Sequence, residues 1–246
     1  MTYENPQVPH EVNVSRESVV AEFLRLLAGL MAVLAVITAL LYFGGGWLAR
    51  FIPFSTERSW VGDAVIGIAI DDPGSAENRK IEKYLKSLVD RLASKMNLPP
   101  EMQLTVHYTG MEVPNAFATL GGHIVVTSAL YERMPSENAL AMVLAHEIGH
   151  VRARDPVAAL GGTASVALLF AVLSGEAGGL TQQVGNVVMR GYSRQAEARA
   201  DEAAIEALKA CYGHAGGAAA VFEMFQRSAI LCRLSGLRPQ IAASLA

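Results

Sequence analysis

Residues 141–155 read AMVLAHEIGHVRARD, and three titratable groups interrupt what is otherwise an apolar helix pattern. A helix advances about 100° per residue, so His146, Glu147 and His150 fall within an arc of roughly 100° on one face. Two neutral imidazoles on adjacent turns can share one small cation, and the carboxylate beside them can reach a water on that cation. This H-E-x-x-H arrangement is suited to zinc-assisted hydrolysis, with Glu147 taking the proton of the attacking water. A pentapeptide of this kind also arises by chance. The reading therefore requires a helix, a further ligand at a distance and a cleft for substrate.

A site with two histidines needs another donor and one open position. A third histidine in the form H-E-x-x-H-x-x-G-x-x-H is excluded, because Ala153 and Pro156 stand at the required positions. Downstream, GYSRQAEARADEAAIEAL (191–208) sets Glu197 and Asp201 four apart on one helix face. One of them can bind the metal while the other accepts the spare N–H of a ligand histidine and fixes its tautomer. Tyr192, Arg194 and His214 are candidates to hold a developing oxyanion. His10, His107 and His123 are read as non-ligands.

The elements that position these groups follow from periodicity. SAENRKIEKYLKSLVDRLASKMN places Ile81, Leu85, Leu88, Leu92 and Met96 on one helical face and stops at Asn97–Pro100. LTVHY (104–108), PNAFATL (114–120) and HIVVTSAL (123–130) alternate like short strands, the last two hinged at Gly121-Gly122. Ser136 is the expected N-cap of the metal helix, and Pro156 its stop after Asp155. A further helix runs from Ser193 to about Lys209, and another apolar one spans about 218–231. The fold class is α+β: a mostly helical domain with a small sheet, preceded by a transmembrane helix.

Composition fits that organisation. The 246 residues are 52% hydrophobic and 17% charged, which points to a membrane-associated protein with one folded domain. A net charge of −3 gives no reason to expect nucleic acid. Cys211 and Cys232 form no disulfide framework, and their state is open. The segment 26–49 carries no charge, and as a helix its 24 residues cover about 36 Å, enough for a bilayer core with some tilt. It is read as an anchor behind a polar tail (1–25) and ahead of a catalytic domain (51–246). Basic residues tie across it, so a short N-terminal tail alone suggests a catalytic domain outside the cytoplasm, on the periplasmic side of a bacterial inner membrane. A second uncharged run, 157–175, could span, dip into or lie on a membrane. It is read as a buried or membrane-surface helix beside the active site.

Three blocks in order, NAFATLGGHIVVTSAL (115–130), HEIGHVRARD (146–155) and SRQAEARAD (193–201), make the chain resemble the HtpX-like zinc metallopeptidases, which include the Oma-type and CAAX prenyl proteases. The resemblance covers roughly residues 51–232. It implies one Zn²⁺ per chain with His146, His150 and Glu197 as ligands, Glu147 as catalytic base and Asp201 as the acceptor behind a ligand histidine. It also places Asn115 on the strand flanking the cleft, where its amide would meet a peptide backbone. The segment LRPQIAASLA departs from the family's usual Thr-His-Pro continuation. The resulting expectation is a membrane-anchored zinc endopeptidase of protein quality control that cuts unfolded or membrane-proximal polypeptides and touches lipid through its anchor. In HIVVTSAL the alternation suggests an edge on which such a substrate adds as a strand. A zinc-binding chaperone-like or scaffold module without turnover is the alternative. It would leave Glu147 without a use.

Overall fold

Ser18 accepts the Ala21 amide and starts a helix, α1, that runs Val19–Ala49, seven residues longer at its N-terminal end than the charge-free stretch. The computed structural model describes residues 18–61, 75–174, 192–216 and 219–221. Most side chains of α1 are exposed, and it is the one described helix long and apolar enough throughout to cross a membrane. The 218–231 helix, Cys232 and LRPQIAASLA fall almost wholly outside the described residues.

After α1 come α2 (Phe54–Val61) and α3 (Ala76–Ala93), the latter capped by Ser75. Leu85, Leu88, Val89 and Leu92 of α3 are buried, as the 3.6-residue pattern requires, and Met96 just past its end is buried with them. The chain then forms β1 (Thr105–Thr109), β2 (Ala116–Ala118) and β3 (His123–Thr127), with the turn before β3 passing through Gly121 and Gly122 at positive φ. Their order is β1-β3-β2, with β1 parallel and β2 antiparallel to β3.

Two sequence expectations change here. HIVVTSAL is not an edge: β3 is the central strand, and all five of its residues are buried. It also ends at Thr127, whose hydroxyl accepts the Leu130 amide and starts α4 (Ser128–Arg133). Among the described residues, the edge strand beside the helix that carries His146 and His150 is β2.

Ser136 caps α5 (Glu137–Arg152), the helix that carries His146 and His150, by accepting the Ala139 amide. Its stop lies earlier than Pro156. Arg154 takes a left-handed conformation (φ 60°), and the chain restarts at once as α6 (Asp155–Ser174). Pro156 sits in the first turn of α6, where its missing N–H costs nothing. The last long helix, α7 (Arg194–Tyr212), begins at the Ser193 cap. The core gathers around α5, between α3, the sheet and α7. Cys211 of α7 is a free thiol directed at the Arg91 carbonyl.

The run 157–175 finds its partner in α1. The helices cross antiparallel through glycines: a Cβ on Gly45 would lie 2.0 Å from Ser165 Oγ, and one on Gly161 would lie 2.4 Å from Ala49 Cβ. Only side chains without a Cβ let the two backbones approach this closely. Gly161→Leu is therefore expected to force the helices apart. It should destabilise the chain by about 1–3 kcal/mol, read as a lower melting temperature in detergent micelles.

Candidate metal centre

α5 brings His146 and His150 one turn apart, and α7 lies across it. The crossing is close because Gly149, between the histidines, faces Ala200: a Cβ there would sit 3.1 Å from the Ala200 Cα. That approach carries Glu197 and Asp201, which flank Ala200 on their helix, to the imidazoles. His146 Nε2 is 3.4 Å and His150 Nε2 is 3.8 Å from the Glu197 carboxylate. The three ligand atoms lie within 4.8 Å of one another.

The other ring nitrogens fix what these atoms can do. His146 Nδ1 meets Asp201 Oδ1 at 2.8 Å, and His150 Nδ1 meets Asp155 Oδ2 at 3.0 Å. Ionised carboxylates only accept, so each Nδ1 carries a proton, and a ring that holds no second proton presents its lone pair at Nε2. Those two Nε2 atoms face each other at 3.0 Å. Two lone pairs so placed repel unless a cation or proton lies between them. Bonds of about 2.0–2.1 Å to one tetrahedral cation would set two nitrogens roughly 3.4 Å apart, close to what is seen. Two imidazoles and a carboxylate, all with ligand atoms converging, fit a zinc-type ion.

Glu147 is buried beside this cluster and keeps 8% exposure. Its Oε2 accepts the Ala118 amide of β2 at 2.7 Å. Burial raises its pKa above the ordinary carboxyl value, against the pull of both histidines and the Ala118 N–H. A carboxylate whose pKa is raised accepts a proton more readily than an ordinary one. For Asp155, burial acts upward, but the His150 bond and the Arg199 charge outweigh it and its pKa lies low. Glu197 is also held low, first by its bond with His146.

Tyr192 lies at the site, its ring centroid 4.2 Å from that of His150, while its amide donates to Glu197 Oε1 at 3.2 Å. Burial raises its pKa and keeps the phenol protonated. Arg194 is exposed in the first turn of α7, and His214 lies beyond the other end of that helix, bonded to the Gly216 amide. Neither joins the cluster. His107 and His123 pair with each other across the sheet at 2.8 Å, apart from the metal ligands. Asn115 lies just before β2, its backbone amide bonded to Thr127 Oγ1 and its carbonyl to the Thr127 amide.

Sequence reasoning missed Asp155 as a partner of His150, taking it only as a helix-ending residue. The signal was a carboxylate five residues after the second histidine, at a break before proline. The Ala118 N–H gives no side-chain signal at all.

The family model described as Peptidase family M48 matches residues 79–229. A protease HtpX homolog of Acidiphilium cryptum (strain JF-5) is 35% identical over 137 residues, which are 50% of this chain and 45% of that protein. A beta-barrel assembly-enhancing protease of Escherichia coli (strain K12) is 30% identical over 150 residues, 52% of this chain and 29% of that one. A protease HtpX homolog of Aquifex aeolicus (strain VF5) is 32% identical over 126 residues, 43% of this chain and 40% of its own. The matches thus span less than half the length of these curated relatives.

Without a metal, His146 is protonated up to about pH 9. Burial opposes its charge, but Glu197, Glu147 and Asp201 together prevail. A proton on that ring must leave before Nε2 can bind a cation. The apparent affinity for a divalent cation is therefore expected to rise from neutral pH to about 9 and level off above it, measured by competition with a chromophoric chelator. An affinity that is flat over that range would contradict the proton assignment.

Proposed function

Because the chain belongs to peptidase family M48, we propose that it is a membrane-anchored, zinc-dependent endopeptidase that hydrolyses internal bonds of polypeptides. The observation that carries this reading is the pair of inward-facing Nε2 atoms, each backed by a carboxylate, with Glu197 across from them and Glu147 alongside. His146, His150 and Glu197 would hold one Zn²⁺, with Asp201 and Asp155 orienting the two imidazoles. Bound zinc lowers the pKa of a coordinated water to about 7 and polarises a carbonyl.

Glu147 then supplies the proton transfer. Its Oε2 is engaged by Ala118, so Oε1 takes the proton of the attacking water and later returns it to the leaving amine. The same bond places the edge of β2 beside the base. The Ala118 N–H points away from β3, and by the two-residue alternation of a strand Ala116 faces the same way. An extended polypeptide pairing with Ala116 would run past Glu147 toward the metal ligands. The Asn115 amide can both donate to and accept from such a backbone. Tyr192, a protonated phenol beside His150, is the best-placed donor for the oxyanion.

Backbone pairing selects extended chain more than side-chain identity. Together with relatives named as HtpX homologs and as beta-barrel assembly-enhancing proteases, this supports quality control of unfolded or membrane-proximal polypeptides. In this reading α1 holds the domain to the lipid, with the catalytic side facing the periplasm of a bacterial inner membrane.

Glu147→Gln is expected to keep zinc and lose about 10²–10⁴-fold in casein cleavage. Glu197→Ala should lower zinc content itself, measured after gel filtration against a mild chelator. Full proteolysis by Glu147→Gln would overturn the mechanism. Asn115→Ala should weaken peptide cleavage with zinc content unchanged, and the unfolded form of a test protein should be cut while its folded form survives.

A further inference from the structure

The carboxylate behind His150 is shared with the apolar helix. Asp155 is 3% exposed, and its Oδ2 holds His150 Nδ1 at 3.0 Å. Its Oδ1 accepts from Arg50 at 3.2 Å, and Arg199 Nη2 bridges Oδ1 at 3.0 Å and Oδ2 at 3.2 Å. Arg199 lies two residues beyond Glu197 on α7. Arg50 closes α1, distant in sequence from the metal helix. Three donors from three elements thus divide between two oxygens of one buried group.

The surroundings keep Arg50 in register. The residue before Asp155, Arg154, donates to the Ile52 carbonyl and pairs with buried Glu57 at 2.9 Å. Glu57 in turn accepts the Gly121 amide at 2.8 Å. On the other side, the glycine crossing seats the end of α1 on the first turns of α6, where Asp155 begins. A carboxylate held on both oxygens has a fixed plane, and that plane sets the direction of the His150 Nδ1–H bond and hence of Nε2. With fewer donors on Oδ1 the carboxylate can turn, and the imidazole with it.

We propose that Arg50 is a positioning residue of the metal centre: acting through Asp155, the end of the apolar helix orients His150, so that this helix is part of the site's construction as well as an anchor. The proposal rests on the metal-site reading above. Partners behind a ligand histidine typically change metal affinity about 10–100-fold when removed. Arg50 stands one bond further out and shares its oxygen with Arg199, so its share is smaller.

The test uses the full chain in detergent micelles with Co²⁺ as the probe metal, following the dissociation constant and the visible absorption band of the bound ion. Asp155→Asn should weaken Co²⁺ binding about 10–100-fold. Arg50→Met should weaken it about 3–10-fold and shift the band, while Arg50→Lys restores both toward the parent. Added to Asp155→Asn, Arg50→Met should have less than about a twofold further effect, because the path to His150 is already cut. Equal weakening with and without Asp155→Asn would overturn the proposal, as would unchanged binding and spectrum in Arg50→Met. If Arg50→Met lowers the melting temperature of the metal-free chain, Arg50→Gln serves instead, with weakened binding supporting the proposal and parent-like binding overturning it. His150→Ala separates the two readings. If it leaves Co²⁺ binding intact, the metal site itself has failed. If it abolishes binding while Arg50→Met leaves it unchanged, only the role of Arg50 has.

Discussion

Two imidazole Nε2 atoms facing each other at 3.0 Å, with a shared proton or cation needed between them, form an arrangement that a folded chain keeps only if something outside the pair enforces it. Here the enforcement comes from acceptors behind each ring, Asp201 behind His146 and Asp155 behind His150. Each acceptor belongs to a different helix from the imidazole that it turns. The orientation of the site is therefore a property of how α5, α6 and α7 pack, and not of α5 alone. Gly149 illustrates the dependence, since any side chain there would push Ala200 away and carry Glu197 and Asp201 with it.

The segment leaving α1 is built into the same construction. Arg50 reaches Asp155, Ile52 receives Arg154, Glu57 holds both Arg154 and Gly121, and Arg58 donates to the Gln103 carbonyl and the Thr105 hydroxyl. Burial raises the pKa of Glu57, while the Gly121 N–H and the Arg154 charge act against it. Paired buried charges of this sort add little net stability, but losing one partner strands the other. Their effect is to specify position. They set the end of the apolar helix against the metal helix and the sheet in one register.

The sheet is small, but it contacts the proposed base directly. β3 is buried along its whole length and serves as the spine. Among the described residues β2 is an edge strand, and its Ala118 amide holds one oxygen of Glu147. The strand proposed to align a polypeptide thus also aims the group proposed to take the proton.

The sequence by itself determined the elements and which residues are candidates for the site. The 3.6-residue period identified the buried face of α3, Ser136 was the expected cap of α5, Ser193 marked the start of α7, and His146, Glu147, His150, Glu197 and Asp201 stood out as candidates from their spacing because a helix turns these intervals into shared faces. What it could not decide were relations between elements. Alternation in HIVVTSAL shows that a strand is present, yet the neighbours of a strand depend on chain paths elsewhere, and β3 proved central. Asp155 looked like a helix stop because its partners, His150, Arg50 and Arg199, converge only after the left-handed turn at Arg154 redirects the chain. The Ala118 bond to Glu147 is invisible in sequence for a simpler reason: every residue but proline has a backbone N–H, and only packing decides where it points.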